Sequence, residues 1–251
     1  MTRQPGRPPI SPADREAVIA QNIEMFAARL TLEAWGWKNI DPWQRELLQS
    51  QDRYIHVLAS RQSGKSSLLS VKTFHKVLTQ SKALVLIIAE QRQSNEDIRK
   101  VKDLCSTYDQ MIRGKYDNRL YLTPVGDNAT SLELPNGSRV VALPANEKIV
   151  GYSAPDILWI DEAHYVDDTV FAAAEPMIEV APRAQLILSS TPALEKSAEG
   201  FFYLEMKNPK YTKFFAPWQF CPRISKESID AKRQVYGDAY VDSQYECKFV
   251  G

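Results

Sequence analysis

The chain has 251 residues, with 31 Lys and Arg balanced by 31 Asp and Glu, 44% apolar residues and 10% aromatic ones; this globular composition excludes disordered, collagenous and coiled-coil chains. A formal net charge of zero removes the general basic field of a free-standing DNA-binding module, so any contact with nucleic acid has to be local. Cys105, Cys221 and Cys247 are widely spaced and outside any Cys-x-x-Cys pattern, which predicts reduced thiols and no structural zinc. No apolar run approaches the roughly 18 residues of a membrane span, so the expectation is a soluble, unexported protein with no membrane partner.

Residues 1–10, basic and Pro-rich, read as a disordered leader. Ser11 can cap a helix with Pro12 at its first position, followed by Ile19, Ile23, Phe26, Ala27 and Leu30 at helical spacing. A second short helix is expected to open at Asp41, with Pro42 behind it and Gln44 at the capping-box position, and Trp43 is assigned to packing. Tyr54–Ala59 is a short apolar strand that runs through a Gly-Lys-Ser turn into a helix carrying Leu68, Val71, Phe74 and Leu78. Ala83–Ala89 is continuously apolar, as a strand buried on both faces must be. Ser94 is expected to cap the next helix, with Ile98, Val101, Leu104 and Tyr108 on its apolar face.

Ser131–Leu143 reads as a β-hairpin turning at Pro135-Asn136-Gly137-Ser138. Two further buried strands end in polar residues: Ile157–Ile160 runs into Asp161-Glu162, and Gln185–Ser189 runs into Ser190-Thr191-Pro192. Alternating strands and helices imply an α/β protein with a mostly parallel, doubly wound sheet.

Three segments carry chemistry. Ala59–Ser66 matches the phosphate-binding loop G-x-x-x-x-G-K-[ST] at every fixed position but the first, where Ala59 replaces glycine. Gly64 lets the backbone turn at the helix start, where free N–H groups face an anion; Lys65 would add charge on the phosphates, and the Ser66 hydroxyl would ligate Mg²⁺. Asp161 and Glu162 stand at the C-terminal end of a strand, where ligands bind in open α/β sheets. There Asp161 would hold Mg²⁺ and Glu162 would deprotonate the attacking water. The hydroxyl run ending in Ser190, Thr191 and Pro192 could sense a γ-phosphate by hydrogen bonding. Gln44 has two readings, the adenine edge or a bond back to Asp41.

Together these segments resemble the ATPase domain of tailed-bacteriophage large terminases. The resemblance spans about residues 30–250 and rests on Gln44, on the Arg-Gln-x-Gly-Lys-Ser core of Ser60-Arg61-Gln62-Ser63-Gly64-Lys65-Ser66, on Ile160-Asp161-Glu162-Ala163, and on Ser190-Thr191-Pro192. It implies a P-loop NTPase fold of the additional-strand type, with ATP and Mg²⁺ as cofactors. Residues 11–50 would be a helical arm with the adenine motif, 51–200 the ATPase core, and 201–251 a C-terminal subdomain leading through Asp238–Phe249 toward a nuclease domain. The nucleotide would lie on Gln44 and on Ser60 through Ser67, with Arg61 near the γ-phosphate and Ser190-Thr191-Pro192 coupling hydrolysis to DNA movement. No nuclease activity is expected of the fragment itself.

Where such terminases carry an Arg-Gly pair, Val150-Gly151 stands here, so the arginine acting on a neighbour's ATP would have to be another, such as Arg139 or Arg183. The implied partners are double-stranded DNA, a portal protein, a small terminase subunit and further copies of the chain in a pentamer, with a monomer the alternative for the isolated chain; the implied location is the cytoplasm of an infected bacterium. Loose basic clusters at Arg92, Arg99, Lys100 and Lys102 and at Lys226, Lys232 and Arg233 are candidate DNA contacts. Asp161-Glu162-Ala163-His164 also spells a helicase signature, which keeps a nucleic-acid-remodelling ATPase as an alternative; against it stand Gln62-Ser63-Gly64-Lys65 where such helicases use Gly-x-Gly-Lys and the lack of room after Thr191 for a second motor domain, and His164 is then assigned to a loop rather than to coupling. A slowly hydrolysing assembly module is the other.

Overall fold

The computed structural model describes residues 22–113 and 124–250, apart from Glu147, Lys148, Val150, Ser153, Glu195 and Ser197. The apolar runs become strands of one sheet: Tyr54–Ala59 (β1), Leu84–Ala89 (β2), Gly126–Asn128 (β3), Ser131–Glu133 (β4), Arg139–Pro144 (β5), Ile157–Asp161 (β6), Gln185–Ser190 (β7) and Thr212–Ala216 (β8). Their order is β3-β4-β5-β2-β6-β7-β1-β8. The six strands from β5 to β8 pair in parallel, and β3 and β4 add an antiparallel edge. Because β7 is inserted between β1 and β6, the sheet has the additional-strand arrangement. Strand β8, which lies in the segment 201–251, pairs with β1, so the sheet draws on residues beyond 200.

Alternation along the strands splits the core in two. Val57, Ile87, Trp159 and Ile187 face one layer, which contains helices Ile23–Trp35 (α1), Pro42–Gln49 (α2), Lys65–Thr79 (α3) and Gln91–Arg113 (α4). Leu58, Leu86, Leu158, Ile160 and Leu188 face the other, where Asp168–Ala174 (α5), Pro176–Glu179 (α6) and Gly200–Lys207 (α7) pack. Helices Lys226–Tyr236 (α8) and Asp238–Gln244 (α9) enclose a third, small cluster of Ile229, Val241 and Tyr245.

Two helix starts differ from the sequence reading. Helix α1 is capped by Asn22, whose Oδ1 accepts from the N–H groups of Glu24 and Met25 at 3.1 Å each. Asn22 itself is extended; Ser11, the expected cap, lies outside the described residues along with the leader. Helix α4 begins at Gln91, and Ser94 is inside its first turn, with its hydroxyl donating to Gln91 O at 3.1 Å and its N–H to Glu90 O at 2.8 Å. A serine hydroxyl can bond back to a carbonyl inside the first turn as well as cap a helix, and although capping is the favoured role, the residue type alone did not choose.

The arm is not a separate unit. Phe26 of α1 packs between Phe74 of α3 and Tyr108 of α4, with ring centroids 6.0 and 5.5 Å away. Buried Lys72 of α3 donates to the carbonyls of Leu47, Leu48 and Ser50 at 3.3, 3.0 and 2.7 Å, closing the C-terminal end of α2. Burial pulls that ammonium down to about 8. At the other end of the chain, α9 stops at Gln244.

Candidate active site

Parallel strands end on a common edge, so the sheet register decides which polar residues meet. Leu58 is level with Ser190, and Ser189 with Asp161; the loop after β1, the carboxylates after β6 and the hydroxyls after β7 therefore face one another. Ala59 is the last paired residue of β1, opposite Ala216 and fully buried, which is why a side chain is tolerated where the general loop pattern has glycine.

The loop from Ser60 to Gly64 is held from outside by its backbone. Ser60 N–H donates to Ala216 O at 2.9 Å and Arg61 N–H to Gln244 O at 2.7 Å, while Ser63 N–H turns back to Ser60 O at 3.2 Å. Gln62 and Gly64 take left-handed φ values of 62° and 85°, and at Gly64 space also demands glycine, since a Cβ would lie 2.6 Å from the Trp37 ring and 3.2 Å from Gln44 Nε2. Helix α3 starts immediately afterwards and its first ladder bond is Leu68 N–H to Gly64 O, so the N–H groups of Lys65, Ser66 and Ser67 are at its open end, free to cradle an anion.

Opposite the loop, Lys65 Nζ lies 2.8 Å from Glu162 Oε1 and Ser66 Oγ donates to Asp161 Oδ2 at 2.8 Å. Burial acts to lower the Lys65 ammonium, but Glu162 and Asp161 outweigh it and hold it above the ordinary lysine value. Asp161, fully buried, also accepts from Ser189 Oγ at 2.5 Å, and Ser189 accepts from Trp159 Nε1 at 2.8 Å. Glu162 sits in a left-handed turn with φ 48°, and its second oxygen accepts from Ser190 Oγ at 3.3 Å and Thr191 N–H at 3.5 Å.

Among the described residues no group of three or more His, Cys, Asp or Glu side chains is placed to hold a metal. The paired oxygens of Ser66 and Asp161 are hard donors, and they suit a cation such as Mg²⁺ that takes few protein ligands and completes its shell with water and phosphate oxygens. Arg61, Glu90, Gln93, Glu162, Tyr165 and Thr191 line a cavity of about 260 Å³ beside them. Arg61 is exposed but oriented, its Nη1 donating to Gln244 Oε1 at 3.1 Å, while Gln244 Nε2 donates to Pro192 O at 2.8 Å.

His164 is not a simple loop residue. It lies buried in a 3-10 turn over Ala163–Tyr165; its N–H donates to Ser190 Oγ at 3.2 Å, and its Nδ1 accepts from Ala193 N–H at 2.7 Å. That leaves the proton on Nε2, facing Glu199 O at 3.2 Å, and burial lowers the ring's pKa. His164 thus ties the Asp161-Glu162 segment to the Ser190-Thr191-Pro192 segment.

Gln44 is fully buried and uses both ends of its amide: Oε1 accepts from Asp41 N–H at 3.0 Å, and Nε2 donates to Ser63 O at 2.9 Å. Beside it Arg223 makes a forked pair with Asp41 at 3.1 and 2.6 Å, donates to Ser63 O at 3.1 Å and lies 5.2 Å from the Trp37 ring centre. Trp43, as expected, is in the core. Arg223, Trp37, Gln93 and Glu90 escaped the sequence reading. The last two lie within four residues of the end of β2, the strand next to β6, and only the strand order reveals that neighbourhood.

The remaining basic residues are elsewhere. Arg139 and Arg183 are exposed at the opposite sheet edge, where β5 and β7 begin, and Val150 lies outside the described residues. Arg99, Lys100 and Lys102 are paired with Glu96, Asp97 and Asp127, and Lys226 and Arg233 with Asp230, Asp238, Asp242 and Glu246.

Residues 56–246 match the family model described as terminase large subunit, T4likevirus-type, N-terminal. The chain belongs to this family. No curated protein matches it. Among solved structures, this terminase domain is similar to the large terminase ATPase domain of Thermus phage P74-26, at 21% identity and a TM-score of 0.66, covering 87% of this chain and 97% of that one. It is similar also to the large terminase of bacteriophage HK97, at 15% identity and a TM-score of 0.64 over 90% of this chain and 54% of that one. The large terminase of a thermophilic bacteriophage, solved in complex with ADP, matches at 14% identity and a TM-score of 0.61, over 84% of this chain and 54% of that one. The terminase domain therefore has the P-loop fold of these proteins and spans about half the length of the last two large terminases. Among the described residues no helix is long and apolar enough to cross a membrane.

Proposed function

We propose that the chain is the Mg²⁺-dependent ATP-hydrolysing motor domain of a large terminase, acting on double-stranded DNA. The observation that carries this reading is the pair of contacts across the loop, Lys65 with Glu162 and Ser66 with Asp161, each at 2.8 Å. The thermophilic-phage large terminase with ADP or ATP-gamma-S bound supports nucleotide as the ligand.

The N–H groups opening α3 and the Lys65 ammonium bind the β and γ phosphates. Mg²⁺, when bound at Ser66 and Asp161, neutralises charge on the phosphate oxygens. Phosphate and Glu162 compete for Lys65, so nucleotide on the loop draws the ammonium away and frees a carboxylate oxygen to act as base. A water oxygen then attacks the γ-phosphorus, the bond to the β–γ bridging oxygen breaks, Glu162 takes the water's proton, and ADP and phosphate leave. Arg61, aimed by Gln244, supplies positive charge in cis. Loss of the γ-phosphate alters the Glu162–Ser190–Thr191 contacts, and His164 and Gln244 carry that change to the segment around Pro192, which is the coupling path toward DNA. Arg223 frames the base end, and Gln44, committed to Asp41 and Ser63, braces the loop behind it instead of reaching the base itself.

Partners in this reading are double-stranded DNA, a portal protein, a small terminase subunit and further copies of the chain, in a pentamer on the procapsid, inside the infected bacterium. The test is ATP hydrolysis measured against the chain's own concentration with Mg²⁺ present and Lys65→Ala as blank. Turnover above the blank is expected, and its absence overturns the reading. Specific activity that rises with concentration assigns the missing arginine to a neighbouring copy; flat activity assigns the role to Arg61.

A further inference from the structure

Gln93 is the third residue of α4, close after the end of β2, and β2 lies beside β6. Its Nε2 donates to Asp161 Oδ2 at 3.0 Å and to Asp97 Oδ1 at 3.1 Å. An amide nitrogen has two hydrogens, and both are used by carboxylates. The orientation of the amide is thereby decided, since turning it over would set its carbonyl against Asp161 Oδ2, which also accepts from Ser66 Oγ. The carbonyl Oε1 is the polar atom left over, on a residue that lines the same cavity as Arg61, Glu162 and Thr191.

The anchor behind Gln93 is costly for a helix that only had to cover a sheet. Asp97 is fully buried, its Oδ1 is 2.9 Å from Lys100 Nζ, and its Oδ2 has no hydrogen-bond partner among the described residues. Burial, with Asp161 nearby, pushes this carboxyl group well above the usual carboxylate range, and a buried acid with one unsatisfied oxygen destabilises a fold relative to an apolar residue of similar size. Its one evident contribution toward the cavity is to fix the Gln93 amide from behind.

We propose that Gln93 is a second acceptor for the attacking water, a catalytic residue whose Oε1 takes one hydrogen while Glu162 takes the other, with Asp97 as its positioning residue. A water with both hydrogens engaged in this way can turn only a lone pair toward the γ-phosphorus, which is the alignment an in-line displacement requires. Gln93 neither gains nor loses a proton, and the bonds made and broken are those of the hydrolysis itself. The inference rests on the hydrolase reading above and adds a residue to it.

The test uses the whole chain with Mg²⁺ and compares kcat and KM for ATP with the Kd of a non-hydrolysable ATP analogue, measured by displacement of a fluorescent nucleotide. Gln93→Met keeps the volume and removes the polar atoms; kcat should fall about 10- to 100-fold while KM and the analogue Kd stay within about twofold. Gln93→Asn, shorter by one methylene, should show the same split and covers the case in which the first variant does not fold. Asp97→Asn should lower kcat less, again at unchanged Kd. A role confined to packing would lower the melting temperature and leave kcat per folded molecule intact. The proposal is overturned by kcat within threefold of the unmutated chain, or by KM and Kd rising as kcat falls. Absence of Lys65-dependent turnover in the unmutated chain overturns the hydrolase reading first, and this one with it.

Discussion

The two ends of the site are built differently. The phosphate end is made by residues that leave neighbouring strands on one sheet edge, and each polar side chain there is tied to the next: Lys65 to Glu162, Ser66 to Asp161, Asp161 to Ser189. The end around Gln44, proposed above to receive the base, is held by side chains instead: Arg223 joins the segment Trp37–Asp41 to Ser63. A sheet edge sets positions through backbone pairing that tolerates little motion, whereas a set of side chains bridging loops can loosen without disturbing the core. The phosphate end is therefore suited to chemistry that needs fixed geometry, and the base end to admitting and releasing a ligand.

The largest expected effect falls at the phosphate end. Glu162→Gln should lower kcat by about 10²- to 10⁴-fold with nucleotide binding retained, because it removes a base and leaves the cradle intact; wild-type-like turnover in steady-state hydrolysis would remove Glu162 from that role. Lys65→Ala should lower turnover by about 10²- to 10³-fold and weaken nucleotide binding as well, a combination that titration with a fluorescent nucleotide separates from the first. Tight binding retained in that variant would contradict the loop assignment.

Strand β1 beneath the loop predicts a pH effect independent of nucleotide. His56 is buried against Phe202, its Nε2 2.9 Å from Phe202 O, and burial depresses its pKa to about 4. The unfolded chain takes up that proton near pH 6.5 and the folded one resists it. The stability contribution is therefore present above pH 6.5 and is lost as pH falls toward 4, by up to about 3 kcal/mol. Denaturant melts across that range should show the loss, and His56→Gln should flatten it.

The smallest effect is expected at the base end. Arg223→Ala should raise KM for ATP about 5- to 30-fold with kcat nearly unchanged, because it releases Asp41, Ser63 and Trp37 from the contacts that hold this end together. If kcat falls as steeply as in Glu162→Gln, the two ends are one rigid unit and the distinction drawn between them fails.

Most of the phosphate end was legible because a buried parallel strand shows itself as an apolar run and its C-terminal end as the first polar residues after it. Gly64, Lys65, Asp161, Glu162 and Ser190 all follow that rule. Gln93 obeys it less openly, behind Ala89-Glu90 and inside a helix that Ser94, read as a cap, would start too late. Arg223 had no local mark at all, because its partner Asp41 lies 182 residues earlier.

By itself the sequence determined six of the eight strands, all but β3 and β8, together with the loop, the hairpin and the capping box at Asp41, since each depends on residue periodicity or on contacts within a few positions. Tertiary structure alone decided that β8 completes the sheet beside β1, that Lys72 closes α2, that His164 bridges two motifs, and that Gln93 and Arg223 reach the site. These depend on strand order and on burial, which place side chains far apart in the chain at hydrogen-bond distance, and neither is encoded in a local pattern.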